Sequence, residues 1–171
     1  MGEGKAFIGT SGWNYSHWGK GIFYPTGLKP SLLLFQLPPF FKVNYQHLGH
    51  LLDLLTHQVI LSEVRIAFEF RNKTWRGEEI FRLLMQKNAA LCFADWPDLT
   101  VTEPPTADFI YLRRHGSTLL YSSCYSEEEL SIDADHIQKW LSEGKDVFVY
   151  FNNDAQGWAI KNALRLLEMV H

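Results

Sequence analysis

The sequence predicts an α/β fold built on parallel strands. Short runs of apolar, β-branched or aromatic residues alternate with segments whose apolar residues recur at helical spacing. The strand runs are almost continuously apolar, which is typical of strands buried on both faces of a parallel sheet. Strands that alternate with helices require right-handed crossovers, so we expect either an open doubly wound sheet or a barrel.

Six strands are predicted, each a short apolar run bounded by polar residues, glycine or proline. The second run ends at Pro38-Pro39, because proline cannot continue a central strand. Six strands in a chain of 171 residues fall below the barrel's usual size of about 250 residues, so the pattern alone slightly favours the open sheet. The strands are Ala6–Thr10, Ser31–Leu37, Arg65–Arg71, Ala90–Asp95, Phe109–Arg113 and Asp146–Phe151.

Helical segments fill most of the gaps between these strands. Asn44 is a suitable cap for a segment that repeats leucine at helical spacing, and Ser126 with Glu129 matches the capping-box pattern. The proline-rich stretch 96–108 is expected to be a loop. Five helical segments are predicted: one that follows Asn44, Glu78–Lys87, one that begins at Ser126, Asp135–Ser142 before Gly144, and one from about Ala155 to Met169.

The composition indicates a soluble protein with a single domain over residues 1–171. Hydrophobic residues make up 46% of the chain, enough for a sizeable core. A formal net charge of −3 disfavours nucleic acid as a partner, although this average charge is compatible with a local basic patch. No apolar window has the length of a membrane span or signal peptide. The two cysteines, Cys92 and Cys124, are too few for a disulfide framework, so we expect a cytoplasmic location.

Six motifs follow one another in a recognisable order. They are the opening run from Ile8 through Trp18 to Pro25, then L-L-F-Q-L-P-P (33–39), A-F-E-F-R with a downstream Trp75 (67–75), L-C-F-A-D (91–95), F-I-Y-L-R-R-H-G (109–116) and V-Y-F-N-N-D (149–154). In this order they resemble the YecE-like family, the domain of unknown function 72, from about Phe7 to Leu167. The resemblance implies a TIM-type (β/α) barrel, and it implies no reaction.

The chain departs from the family pattern at one place. In the family, a long segment with two further barrel strands separates the F-Y-P loop from the L-F-Q-L-P-P strand. Here Pro30 is followed at once by Ser31 and that strand. The resemblance therefore implies an internal deletion at about residues 30–31 and a barrel that lacks the equivalents of strands 2 and 3. Because strand number and stagger are linked, we expect two open sheet edges, through which copies of the chain could associate.

Polar side chains follow the predicted strands at their carboxyl ends, where a barrel carries its working loops. Because side chains alternate along a strand, Glu69 shares a face with Arg71, and Arg113 shares one with His115. Such a set offers a carboxylate, guanidinium groups for anions and an imidazole for proton transfer. The candidate catalytic residues are Glu69, Asp95, Arg113 and His115, and the candidate ligand-binding residues are Ser11, Trp13, Tyr15, Gln36, Arg71, Trp75, Tyr111, Asn152 and Asn153.

Structural explanations compete with these functional ones. Glu69 with an arginine could be a buried ion pair that fills the barrel, His115 could be structural, and Asp95 could cap a loop. Asparagines after a strand often satisfy turn backbone. Without an H-x-H, H-E-x-x-H or Cys/His pattern, no metal site is predicted. The loop aromatics could form a hydrophobic collar or stack on a sugar or base; they are Trp13, Tyr15, Trp18, Tyr24, Trp75, Trp96 and Tyr121.

Three functions stay open on the sequence. The first is an enzyme, or a former enzyme, that acts on a small anionic or aromatic ligand through Glu69, Arg113 and His115. The second is a non-catalytic barrel that binds a sugar or nucleic acid through the aromatic residues at its mouth. The third is a truncated form that lost its function with the missing strands. The sequence indicates no particular cofactor.

Overall fold

The protein forms two parallel sheets that continue into each other, with helices on their outer face. A computed structural model describes residues 2–11, 31–57, 64–96 and 103–171. The strands are β1 (Ala6–Thr10), β2 (Leu32–Leu37), β3 (Arg65–Phe70), β4 (Ala89–Leu91), β5 (Phe93–Ala94), β6 (Phe109–Arg114) and β7 (Asp146–Phe151). The helices are α1 (Tyr45–His57), α2 (Glu78–Gln86), α3 (Glu127–Ser142) and α4 (Trp158–Val170).

The two sheets meet at Cys92, the single residue between β4 and β5. One sheet has the order β1-β7-β6-β5 and the other β2-β3-β4, and every pairing is parallel. The Cys92 amide donates to the Phe68 carbonyl of β3 (2.8 Å), whereas the Asp95 amide donates to the Arg113 carbonyl of β6 (3.4 Å). The predicted strand Ala90–Asp95 is therefore split into β4, which pairs with β3, and β5, which pairs with β6.

Contacts between strands that are not neighbours require the combined sheet to curve. At the amino-terminal end, Arg65 of β3 forms an ion pair with Asp146 of β7 (2.5 Å). The Arg65 guanidinium also lies 5.1 Å from the centre of the Phe148 ring. The outermost strands are β1 and β2, and within the described residues each pairs with one neighbour only. The α/β fold with parallel strands is thus confirmed, and the described strands form an open arc.

Side-chain alternation divides the core into one inner and two outer clusters. Ala67, Tyr111 and Phe148 belong to the cluster on the inner, concave face of the arc. On the outer face, α1 and α2 cover β2, β3 and β4 around Phe68. Helices α3 and α4 cover the remaining strands around Val149. Since apolar helices take up the outer face, polar side chains at the strand ends are free to converge on the inner face.

The helix boundaries follow local signals at most ends. Both hydrogen bonds of the predicted capping box, between Ser126 and Glu129, are present at the start of α3. The predicted helix Asp135–Ser142 is the second half of α3, which begins at Glu127. Helix α4 begins at Trp158 rather than Ala155, because the residues just before it form a 3₁₀ turn with positive φ angles at Gln156 and Gly157.

Among the residues that the structure describes, no helix is long and apolar enough to cross a lipid bilayer.

Replacing Ser126 with Ala is expected to lower the free energy of unfolding by about 1 kcal/mol, because the Glu129 amide loses its side-chain acceptor. Chemical denaturation measures the change. Ser142→Ala is a matched control at the other end of α3, where the hydroxyl donates to a carbonyl that can bond water instead. Equal losses in the two variants would contradict the assigned role of the cap.

Candidate functional site

Five of the predicted site residues come together at the carboxyl ends of the strands. Gln36 and Glu69 are the penultimate residues of β2 and β3, and they lie opposite each other in the register. Arg71 follows β3, Arg113 lies near the end of β6, and Ser11 follows β1. Alternation along the strands carries the side chains of these residues to the inner face. We call this set the arginine–glutamate cluster.

Glu69 lies at the centre of the arginine–glutamate cluster. Arg71 donates from Nε to its Oε1 (2.6 Å), and Arg113 donates from Nη1 to its Oε2 (2.6 Å). His115 Nε2 lies 3.3 Å from Oε1. Because the glutamate is only 1% exposed, these partners replace the water that would otherwise solvate its charge.

The electrostatic environment keeps Glu69 ionised. Burial is the largest single effect and by itself would raise the pKa of the carboxyl. The adjacent His115 side chain, the charge of Arg113 and the hydrogen bond from Arg71 together outweigh it and lower the pKa to about 2. A carboxylate with so low a pKa is a permanent anion at neutral pH and a weak proton acceptor.

Hydrogen bonds in the cluster connect the two outermost strands. Gln36 of β2 accepts at Oε1 from Arg71 Nη2 (2.8 Å) and from Arg113 Nη1 (2.7 Å). Arg113 also donates from Nη2 to the Ser11 hydroxyl beyond β1 (3.3 Å). A continuous polar network therefore crosses the inner face from β2 through β3 and β6 to β1.

His115 is fully buried beside the cluster and is held on several sides. The Asn152 amide nitrogen lies 3.1 Å from Nδ1, so that ring nitrogen accepts and Nε2 carries the proton toward Glu69. The rings of Trp96 and Tyr121 meet the imidazole edge-on, with centroids 5.5 and 5.6 Å away. The imidazole is thus held in one orientation, with Nε2 directed toward Glu69.

The cluster holds more donors than acceptors. Two guanidiniums against one carboxylate leave one positive charge in excess among these three side chains. Within the described part of the chain, buried Arg113 Nε has no hydrogen-bond partner, and no acceptor contacts Arg71 Nη1. The Arg71 guanidinium stacks on Trp96, with Cζ 4.1 Å from the ring centre. A surplus of guanidinium donors of this kind is chemically suited to an anion.

Asp95 acts on the site through the backbone. One carboxylate oxygen accepts from the His115 amide (2.7 Å), and the other accepts a short hydrogen bond from the Tyr125 hydroxyl. The Gly116 amide donates to that same hydroxyl (2.7 Å). Burial and the charge of Asp95 raise the pKa of Tyr125, so its hydroxyl stays protonated. No local pattern in the sequence indicates Tyr125, because its hydroxyl contacts a residue thirty positions away.

Three predicted ligand-binding residues lie away from the cluster. Trp75 is 1% exposed in the outer core, where its indole donates to the Phe41 carbonyl, so its prediction as a ligand contact is wrong. Asn153 is fully buried and donates to Asn162 and to a loop carbonyl. Tyr111 is buried deeper along the strand that carries Arg113. The other predicted contacts at the mouth, Trp13 and Tyr15, and the loop aromatics Trp18 and Tyr24, lie outside the described residues.

Across the described ranges, no three His, Cys, Asp or Glu side chains gather closely enough to hold a metal ion.

The low pKa of Glu69 makes stability depend on pH. The folded-state value of about 2 lies below the ordinary value of 4.5. The carboxylate therefore contributes stability above pH 4.5, and this contribution, about 3 kcal/mol, is lost as the pH falls toward 2. Urea denaturation is expected to show a steeper loss below pH 4.5 for the wild type than for Glu69→Gln. The exposed Glu79→Gln serves as the control; if both variants lose stability in parallel with the wild type, the role of Glu69 is contradicted.

Comparison with known proteins identifies relatives for most of this chain. The chain is 25% identical to UPF0759 protein YunF of Bacillus subtilis (strain 168), in a match covering 83% of the chain and 58% of that protein. The crystal structure of a DUF72 family protein (TM1631) from Thermotoga maritima MSB8 superposes with a TM-score of 0.68 at 28% identity, covering 81% of this chain and 57% of that one. A DUF72 family protein (EF0366) from Enterococcus faecalis V583 shares the fold, with a TM-score of 0.67 at 21% identity and 60% of its chain covered.

The chain thus spans somewhat more than half the length of these relatives. The model of the family described as "Protein of unknown function DUF72" matches residues 29–171, so the opening motif lies before the matched span. This match includes β2 to β7 and all the cluster residues except Ser11. The family that the motifs indicated is confirmed: the chain belongs to the DUF72 family.

Proposed function

We propose that the carboxyl ends of the strands form a binding site for a small anion, in a protein that is an enzyme or descends from one. Arg71 and Arg113 bind the anion, and Glu69 holds the two guanidiniums in place. The single observation that supports this most is the surplus of buried N–H donors, headed by Arg113 Nε. An unpartnered buried donor costs about 1–3 kcal/mol, which an acceptor from a ligand would recover.

The cluster is better suited to binding the anion than to abstracting a proton with Glu69. With a pKa of about 2, Glu69 binds a proton too weakly to act as a general base at neutral pH. His115 is the better candidate for proton transfer, since its Nε2 lies 3.3 Å from Glu69 at the centre of the cluster. Asn152 and Asp95 then act as positioning residues that hold the imidazole and its backbone.

We further infer that the arc is an incomplete TIM-type barrel. Its strands correspond to strands one and four to eight, with the equivalents of strands two and three missing at about residues 30–31. Two observations support this inference. The match covers 81% of this chain but only 57% of the Thermotoga protein. Within the described residues, β1 and β2 also lie at the two outer ends of the sheets that join at Cys92.

Anion binding is tested by thermal denaturation in acetate and in phosphate, with chloride at equal ionic strength as the reference. At a concentration 100 times Kd, a ligand stabilises the folded state by about 2.7 kcal/mol, or about 5–10 °C in Tm for a chain of this size. The wild type is expected to show such a rise with at least one of the two anions. Arg71→Gln is expected to lose it, because the guanidinium end that has no acceptor among the described residues is removed.

Arg82→Gln is the matched control, since Arg82 pairs with Glu78 on the exposed face of α2. Equal rises in Tm for the wild type, Arg71→Gln and Arg82→Gln would mean that the anions act on the protein surface generally, and the proposed site would be rejected.

The incomplete barrel is tested by insertion. Placing the intervening segment of YunF between Pro30 and Ser31 is expected to raise the denaturation midpoint, because β1 and β2 gain neighbours. The same segment inserted at the exposed turn around Gly144 is the control. If both insertions lower the midpoint alike, the inferred gap at residues 30–31 is contradicted.

A further inference from the structure

The arginine–glutamate cluster and the rings next to it also indicate which anion binds; this inference rests on the proposed function. We propose that the ligand is an aromatic carboxylate. Its carboxylate binds the free end of the Arg71 guanidinium, and its ring lies against Tyr121 and Trp96.

The charge of the cluster favours a monoanion. The two guanidiniums and one carboxylate sum to +1, which a carboxylate neutralises. A phosphate dianion would leave a net charge of −1 beside buried Glu69. The further oxygens of a phosphate would also lie against the oxygens of Glu69 and Gln36. These oxygens are acceptors too, and they already bind the guanidinium N–H groups that face inward.

The donor geometry of Arg71 matches a planar group with two acceptors. Its Nε and one hydrogen of Nη2 are engaged by Glu69 and Gln36. The end of the guanidinium formed by Nη1 and the remaining Nη2 hydrogen has no acceptor among the described residues. A carboxylate accepts two parallel N–H bonds from such a fork. Because Trp96 stacks on the guanidinium, the fork is held in one plane.

Aromatic rings flank this fork. Trp96, His115 and Tyr121 contact one another edge-on, with centroids between 5.5 and 6.2 Å apart. Tyr121 is 40% exposed although two rings pack against it. Its φ of 63° is unusual for an aromatic residue, so the turn presents the ring at a conformational cost. An exposed ring in contact with the tryptophan that stacks on Arg71 favours a ligand with a ring of its own.

The test compares benzoate, cyclohexanecarboxylate, benzyl alcohol and inorganic phosphate by isothermal titration calorimetry. We expect the wild type to bind benzoate more tightly than phosphate, and about two- to tenfold more tightly than cyclohexanecarboxylate, which has no aromatic ring. Benzyl alcohol, which lacks the charge, is expected to give no measurable binding. Tyr121→Asn introduces a residue that tolerates positive φ and is expected to reduce the benzoate preference, because only Trp96 then remains beside the ligand ring, while Tyr121→Phe keeps the full preference.

Tyr45→Ala removes an exposed aromatic ring at the start of α1 and serves as the control that keeps the wild-type ratio. Phosphate binding as tightly as benzoate, or a benzoate preference that is undiminished in Tyr121→Asn, would overturn this inference and leave the anion site standing. Failure of the wild type to bind either carboxylate or phosphate would overturn the proposed function as well. The wild-type benzoate-to-cyclohexanecarboxylate ratio decides the question even without the Tyr121 variants.

Discussion

The double ion pair of Glu69 with Arg71 and Arg113 is the interaction on which the rest of the structure depends. It joins β3 to β6 across the inner face, and through Gln36 and Ser11 it reaches both outermost strands. Removing one partner from a buried ion pair typically costs 3–5 kcal/mol, because the other charge is left without compensation. At the opposite end of the strands, Arg65 and Asp146 form a second link across the same interior. Ion pairs therefore link the strands across the inner face at both their amino-terminal and carboxyl ends, although the arc has two free edges.

Structural and functional roles for this cluster do not exclude each other. A buried ion pair retained only for stability would match its donors to its acceptors. Here the outward side of Arg71 and the Nε of Arg113 remain unmatched in the described residues. Glu69 therefore serves the fold by joining strands, and in the proposed function the guanidiniums that it orders also bind the anion.

Much of the fold could be predicted because strand and helix signals here are local. The bounds of β1 and β7 agree with the prediction to the residue, and the Ser126 cap marks the start of α3. The Cys92 split could not be foreseen, since it depends on which neighbour each half of the strand meets. Side-chain alternation placed Glu69 beside Arg71. Nothing local distinguished Trp75, which faces the outer core, from Trp96, which packs on Arg71.

Cys92 lies where the two sheets meet, so the accessibility of its thiol depends on whether the sheets stay together. Each sheet carries its own helix pair and its own outer core, and the two halves meet at Cys92, in the inner core and through the ion pairs that cross it. The thiol of that residue is buried, and burial raises the pKa of Cys92 well above its usual range, whereas Cys124 is exposed. A thiol-labelling reagent would therefore modify Cys124 in the intact molecule and Cys92 only when the halves separate. Cys92 is in effect a natural reporter of how often the two halves of the arc come apart.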